Sequence, residues 1–318
     1  MFMDGEILIC GATDFKAFGS SSATSDARRV LIIRNPVAGQ ARRGYFSKVV
    51  AALDDLGCQV TVVNTSGPRH AEVLAARARG FEVIVAAGGD GTINEILNGL
   101  PDKAPPLAVI PMGTANVLAV ELGLGDDPMR AARAIAFGTG RKVYPAIANG
   151  RKFLLMTGAG FDAWVVEHVS STFKRRLGVV GLGKLAYVWA TLLGLFRFSY
   201  PGYRVTVGGQ SYEAATVIAA KSRFYGGGYQ CAPDVRLTEP ELHICLAEGG
   251  GAWNTLRYAV ALAFDRFHLL PDVKIIKTAA AQVEGREGEA VQGDGDVLTV
   301  LPLELKLCRK PIRLIYPE

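Results

Sequence analysis

The 318-residue sequence is poor in the residues and patterns that mark metal, disulfide, membrane-span and common nucleotide folds. Its five cysteines, Cys10, Cys58, Cys231, Cys245 and Cys308, are odd in number and never form C-x-x-C, which argues against a disulfide framework and fits a reducing compartment. The four histidines, His70, His168, His243 and His268, are scattered without zinc-ligand spacing. The apolar segment Leu177 to Phe198 is broken by Lys184 and Arg197, and the twelve residues between them fall short of a membrane span, which needs roughly twenty. Ile7-Leu8-Ile9-Cys10 is likewise too short for a signal-peptide core. No G-x-x-x-x-G-K-[ST] occurs, and no strand is followed by G-x-G-x-x-G with an acid about twenty residues on, so neither a P-loop nor a dinucleotide fingerprint is supported. A net charge of +5 without interleaved aromatics gives no nucleic-acid signature. Internal repeats and low-complexity linkers are also missing.

What the chain does have is glycine at the ends of apolar runs. Gly88-Gly89-Asp90-Gly91-Thr92-Ile93-Asn94-Glu95 follows the run Phe81 to Ala87 and opens a helix-like segment, Glu95 to Leu100. A buried strand ending in glycines lets backbone approach a polyphosphate, and the amides of the next helix N-terminus supply positive potential. Asp90 is the odd member. An acid among phosphate-binding amides repels the ligand unless a cation or a proton-transfer role compensates, so it points to Mg2+ chemistry. A plain glycine turn capped by Asp90 or Thr92 is the alternative.

Two more turns repeat the pattern. Asn35-Pro36-Val37-Ala38-Gly39 breaks the strand-like Val30 to Arg34 before an amphipathic run, Ala41 to Leu56, and Pro111-Met112-Gly113-Thr114-Ala115-Asn116 separates Leu107 to Ile110 from the helical Val117 to Leu122. Three strand, turn, helix units predict an α/β domain with a parallel sheet and ligand loops at the carboxyl ends of its strands. Thr65, just after the strand-like Val60 to Asn64, faces the same crevice or caps the helix Ala71 to Arg79. Beyond residue 145 the character changes to short alternating strands, Tyr203 to Val207, Ser211 to Ala219, Leu242 to Leu246 and Val297 to Leu301. Residues 28–145 are thus expected as the α/β domain and 146–300 as a β-rich domain, while 1–27, with its Ser20 to Ser25 stretch, reads as a flexible extension. Gly158-Ala159-Gly160-Phe161-Asp162-Ala163 looks superficially like a dinucleotide loop but lacks a third glycine, and its helix context is unclear.

The turns at Asn35 to Gly39, Gly88 to Gly99 and Gly113 to Asn116, then Gly158 to Asp162 and Asp294-Gly295-Asp296, resemble the ordered motifs of the diacylglycerol kinase catalytic-domain superfamily. That superfamily includes bacterial diacylglycerol and YegS-like lipid kinases and the sphingosine and ceramide kinases. The resemblance runs from about Arg28 to the C-terminus. NAD kinases and phosphofructokinases carry elements similar to the glycine-aspartate turn, but the Asn35 and Gly113 turns favour the lipid-kinase branch. It implies an NAD kinase/phosphofructokinase-like first domain, a β-sandwich second domain, and a terminal segment, 301–318, that packs back on the first.

The resemblance further implies that ATP, with Mg2+, is contacted by Asn35, Pro36, Val37, Ala38, Gly39, Thr65, Gly88, Gly89, Asp90, Gly91, Thr92, Ile93, Asn94 and Thr114. Asp296 stands where relatives commonly carry a Glu proposed as the base. It is shorter by about one carbon-carbon bond, ~1.5 Å, and needs desolvation or a neighbouring acid, Asp90 or Asp294, to become a useful base. An ordinary Asp-Gly hairpin between Glu289 to Val291 and Val297 to Leu301 is the plainer account of the same residues.

Pro233 to Leu242 matches a region that bacterial diacylglycerol kinases use for a structural Mg2+, but Thr238 and Pro240 replace an acid and a glycine. Glu239 remains as the matching metal ligand, and an exposed turn is the better account. Lys174-Arg175-Arg176 and the apolar segment after it could wall a lipid crevice, lie on an anionic membrane surface, or form a buried helix. The expected activity is transfer of the γ-phosphoryl of ATP to the hydroxyl of a diacylglycerol-like lipid by a cytoplasmic enzyme peripheral at the inner membrane surface. A homodimer is left open, as are two rivals: an NAD or polyol kinase, and a non-catalytic lipid or nucleotide sensor.

Overall fold

The computed structural model describes residues 8–10, 27–39, 42–176, 194–195 and 197–317. Most of the basic and apolar stretch from Lys174 to Phe198 therefore lies outside the described residues, as does most of 1–27. The chain forms two compact units, residues 1–143 with 310–318, and residues 144–309.

The first unit is an α/β fold. Its elements run β1 (Leu8–Cys10), β2 (Arg29–Arg34), α1 (Arg43–Asp55), β3 (Gln59–Asn64), α2 (His70–Arg77), β4 (Val83–Gly88), α3 (Asp90–Gly99), β5 (Leu107–Pro111), α4 (Val117–Glu121), α5 (Pro128–Phe137) and β6 (Gly140–Val143). β4 and β5 are buried along their whole length. A strand covered on both faces reads as a continuous apolar run, which is why Val83 to Ala87 and Leu107 to Ile110 show no alternation. α1 carries the opposite signature, with Phe46, Val49, Val50 and Leu53 on one stripe. That stripe shares a core with Val30, Ile32, Val83, Val85 and Ile110 of the sheet and with Ala131 and Ile135 of α5. α5 itself starts on a capped turn, Asp127 accepting the Met129 amide at 2.9 Å with Pro128 in the first helical turn.

The sheet order is β1-β3-β2-β4-β5, parallel throughout, continued by Ile312–Ile315 near the C-terminus and then β6. Leu8–Cys10, within the stretch read as an extension, forms the outermost strand. The chain leaves β2 on one side to form β3 and returns to its other side to form β4. This reversal is a topological switch point, where the carboxyl ends of β2 and β4 part and leave a ligand crevice.

The second unit is a β-sandwich. After β7 (Ala146–Ala148), β8 (Arg151–Phe153), β9 (Met156–Ala159) and α6 (Phe161–Arg176) come β10 (Tyr203–Val207), β11 (Gln210–Ala214), β12 (Thr216–Ala220), β13 (Phe224–Tyr225), β14 (Tyr229–Gln230), β15 (Leu242–Ala247) and α7 (Ala252–Ala263). Strands β16 (Val273–Thr278), β17 (Ala280–Glu284), β18 (Ala290–Gly293), β19 (Asp296–Val300) and β20 (Leu303–Leu307) follow, and β21 (Ile312–Ile315) belongs to the first unit. The sheets are β11-β10-β17-β20-β7-β8 and β16-β15-β12-β9-β18-β19. Tyr203, Val205, Val283 and Leu305 from one share a buried core with Val217, Ala219, Ile244 and Val291 from the other. The expected strand Ser211 to Ala219 is two strands in different sheets. The buried Ala215, its amide bonded to Ala247 O at 2.8 Å, marks the crossing.

Candidate active site

The three glycine turns of the first unit meet at the switch point. Asn35 joins two of them, donating its backbone amide to Ala87 O at 3.0 Å and its side-chain amide to Thr92 Oγ1 at 3.4 Å. Its Oδ1 accepts the Val37 amide at 3.1 Å, closing an Asx turn that leaves Val37 exposed. Contact between the loops is close enough to demand glycine. A Cβ on Gly39 would fall 2.0 Å from Met112 O, in a residue already at φ +62, and one on Gly113 would fall 2.6 Å from Gly89 Cα. Asn116 then clamps the third loop, its side chain accepting the Gly113 amide at 2.7 Å and donating to Gly113 O at 2.8 Å from a left-handed backbone. Thr65 lies beside β2, its amide on Arg34 O at 2.8 Å, and it is not the cap of α2, which begins after Arg69. Thr114 is exposed on the third loop, whereas Thr92, Ile93 and Asn94 are buried. Arg34, which the motifs do not single out, lies at the end of β2 with its guanidinium 4.4 Å over the Phe46 ring and its Nε buried without a hydrogen bond.

The acids of the glycine-aspartate turn have structural partners. Both oxygens of Asp90 accept amides at the start of α4, Val117 at 3.0 Å and Leu118 at 3.2 Å. Its carboxylate fastens the third loop to the second. Glu95 does the same for α2, accepting Arg69 N at 2.8 Å and Ala71 N at 3.1 Å. Helix N-termini have unsatisfied amides, and a carboxylate is their natural acceptor.

In the second unit, Asp294 and Gly295 are the two central residues of the β18–β19 hairpin, at φ +50 and +90. Positive φ at both positions is the type I′ geometry that Asp-Gly favours. Asp294 is 5% exposed, and its carboxylate accepts the amides of Leu154 (3.0 Å), Leu155 (2.9 Å) and Met156 (3.0 Å). Those three bonds hold the hairpin turn onto the segment Leu154 to Met156. Asp296 is exposed at the start of β19, opposite Gly293.

Gly160 connects β9 to α6, so the Gly158 to Ala163 motif does open a helix, and it carries Asp162 into an apolar cavity of about 230 Å3. The walls include Phe161, Val165, Ile218, Leu256 and Leu262. Asp162 Oδ2 accepts Tyr225 Oη at 2.8 Å and Gln292 Nε2 at 3.1 Å, while Oδ1 is buried without a hydrogen-bond partner of good geometry. Burial raises its pKa above the ordinary carboxylate range, against the lowering effect of those hydrogen bonds. Nothing local in the Gly158 to Ala163 motif marks Asp162 for a role, because the residues around it, Ile218, Tyr225 and Gln292, come from distant parts of the chain.

Residues 29–146 match the diacylglycerol kinase catalytic domain and residues 156–316 match the YegS C-terminal NAD kinase beta sandwich-like domain. The chain belongs to the diacylglycerol kinase family. A diacylglycerol kinase of Bacillus subtilis is 28% identical over 301 residues, covering 92% of this chain and 97% of the relative. A Pseudomonas aeruginosa protein named "Probable lipid kinase YegS-like" is 30% identical over 70% of this chain and 72% of its own length. The solved structure of a diacylglycerol kinase from Bacillus anthracis matches with a TM-score of 0.73 at 27% identity, over 92% of this chain and 98% of that one. Family membership supports lipid kinase activity in general.

The loop from Pro233 to Leu242 carries Glu239, the residue expected as a metal ligand. The Glu239 side chain is exposed, and its backbone oxygen accepts Lys221 Nζ at 2.7 Å. Among the described residues no group of three or more His, Cys, Asp or Glu side chains is placed to hold a metal ion. Nor is any helix among them long and apolar enough to cross a membrane.

Proposed function

We propose that the chain is an ATP-dependent lipid kinase that transfers the γ-phosphoryl group to a hydroxyl of a diacylglycerol-like lipid. The observation that carries this reading is the interlocking of three glycine loops at the switch point of the first unit, where the N-terminal end of α3 supplies positive potential and the exposed Thr114 a hydroxyl for a polyphosphate. Asn35, Gly39, Gly88, Gly89 and Gly113 act here through close backbone approach. Ile93 and Asn94 have buried side chains, and the Ile93 amide donates to Gly89 O at 3.2 Å.

The acceptor side of the reaction is assigned to the second unit. In the transfer, the acceptor oxygen bonds to the γ-phosphorus as the bridging oxygen leaves with ADP, and the hydroxyl proton goes to the exposed Asp296 carboxylate. Mg2+ would arrive on the phosphates and neutralise their charge. A single nearby carboxylate, Asp90, with its two amide bonds, fits an ion held by phosphate and water rather than by a protein cage. The cavity around Asp162 suits one apolar chain, with the carboxyl available to a hydroxyl or carbonyl of the lipid.

A lipid acceptor has to be reached at a membrane, and α7 supports that contact. Trp253, Leu256, Val260 and Phe264 recur at helical spacing on its outer side at 77, 43, 49 and 71% exposure, and Leu256 also lines the cavity. Its one charged residue, Arg257, is paired with Asp272. An apolar stripe ending in an aromatic residue suits the headgroup boundary of a bilayer. Peripheral binding at the cytoplasmic face would bring this stripe and the ATP supply together.

The test is transfer of labelled γ-phosphate from ATP with Mg2+ to micellar diacylglycerol, monoacylglycerol, ceramide, sphingoid base and phosphatidylglycerol, with NAD as a control. A labelled lipid that disappears in Asp296→Asn supports both the class and the base. Labelled NAD with no labelled lipid, or ATP binding without any product, overturns the reading.

A further inference from the structure

Lys221 follows β12 and is 0% exposed, a rare setting for an ammonium. Its three N–H donors find three carbonyl oxygens of one loop: Arg236 at 3.2 Å, Glu239 at 2.7 Å and Glu241 at 2.9 Å. An ammonium has three donors, so the group is fully satisfied, and the loop is wrapped around it. Turn bonds from Val235 N to Ala232 O and from Glu239 N to Arg236 O, each 3.2 Å, hold the loop in that curve. A ring of carbonyls converging on one buried point is how a chain binds a cation. Here that point is filled from within.

A divalent ion does not fit beside it. Mg2+ draws six oxygens to about 2.0–2.1 Å and keeps waters of its own, whereas these carbonyls stand at hydrogen-bond distance from a covalently tethered charge. The carboxylates that could have completed a metal site are engaged or turned outward. Glu241 is held by His243 at 2.9 Å and Lys277 at 3.4 Å, and the Glu239 side chain is exposed. We propose that the Lys221 ammonium is the resident cation of the 233–242 loop, standing where a divalent ion would otherwise be bound, so that the second unit keeps its fold without a metal. Burial lowers the Lys221 pKa to about 8, which still leaves the ammonium protonated at neutral pH.

The test uses the full chain without nucleotide, which separates it from any metal that accompanies ATP. Thermal melts of the wild type are compared after exhaustive chelation and with millimolar Mg2+ or Ca2+ restored, alongside Lys221→Met and Glu239→Gln. The expected result is an unchanged wild-type Tm in all conditions, a Glu239→Gln Tm equal to wild type, and a Lys221→Met Tm lower by several degrees. A wild-type Tm that falls on chelation and returns with Mg2+ would overturn the proposal, as would a Glu239→Gln loss that tracks metal. The wild-type and Glu239 arms remain decisive even if Lys221→Met does not fold.

Discussion

Asp294 and Asp296 are separated by one glycine, yet Asp294 is buried on three amides and Asp296 is exposed, so the proposed reading gives them different work. Asp294→Asn keeps the size and the left-handed preference of the side chain but replaces one carboxylate oxygen with an NH2 group. If the remaining oxygen stays on Leu155 and Met156, the new NH2 faces the Leu154 amide, donor against donor. The loss is one hydrogen bond to a charged group, about 1.5–3 kcal/mol, plus a buried amide without an acceptor, about 1–3 kcal/mol. The two surviving bonds also lose their ionic partner. The total is on the order of 4 kcal/mol, a large share of the roughly 5–15 kcal/mol that stabilises a typical protein. Asp296→Asn, on an exposed strand end, should change stability by no more than ~0.5 kcal/mol while turnover collapses. Urea denaturation followed by tryptophan fluorescence reports on the right unit, because Trp164, Trp189 and Trp253 all fall within residues 144–309. An Asp294→Asn protein with the wild-type midpoint and an Asp296-like loss of kcat would refute the division of roles.

The remaining predictions test the other parts of the site. Gly113→Ala sets a Cβ 2.6 Å from Gly89 Cα, so the loops must part; it should cost about 1–3 kcal/mol and weaken ATP binding, and calorimetric titration with wild-type affinity would count against the loop assignment. Burial raises the Asp162 pKa above 3.8, so the folded state holds its proton more tightly than the unfolded one. Its contribution is therefore destabilising above the folded pKa and is relieved as pH falls through that value. Asp162→Asn, neutral throughout, should raise Tm relative to wild type more at the alkaline than at the acid end of a pH series; a change of equal size at both ends would show that the carboxyl is not strained by burial. Trp253→Ser with Phe264→Ser should abolish cosedimentation with phosphatidylglycerol vesicles and leave nucleotide binding intact, and unchanged cosedimentation would remove α7 as the membrane contact.

The α/β unit was legible because its signals are local. A fully buried parallel strand shows as an unbroken apolar run, and the turn after it shows as glycine, so β2, β4 and β5 and their loops could be read within a residue or two. The Asp294-Gly295 turn was legible for the same reason, since its backbone angles are set by those two residues. Ser211 to Ala219 was not, because β-forming residues run on past Ala215 without a turn signal while the hydrogen-bond partner changes from Tyr203–Val207 to Leu242–Ala247. Partner choice is a long-range property that no short window contains. Asp162 and Lys221 were hidden for a related reason: the partners that surround Asp162 come from strands and helices about 130 residues apart in places, and those of Lys221 from a loop read as a surface turn.

The acids of the motifs hold the turns in shape. A glycine turn that opens a helix or a hairpin leaves amides pointing into a crowded space, and something must accept them. Asp90 accepts two at α4, Glu95 two at α2, and Asp294 three at Leu154 to Met156. All three lie in the very segments that carry the family resemblance, where acids suggest metal binding or proton transfer. A carboxylate that already accepts two or three backbone amides has few lone pairs left for a substrate proton, and moving it would loosen the turn that positions everything nearby. Of the acids in those motifs, Asp296 is the exposed one, at the start of β19 and two residues from the bonded Asp294. On the proposed reading, Asp294 is the positioning residue for Asp296. An Asp294 variant that still folds should therefore lose kcat with little change in the KM for ATP, since only the aim of the neighbouring carboxylate is disturbed.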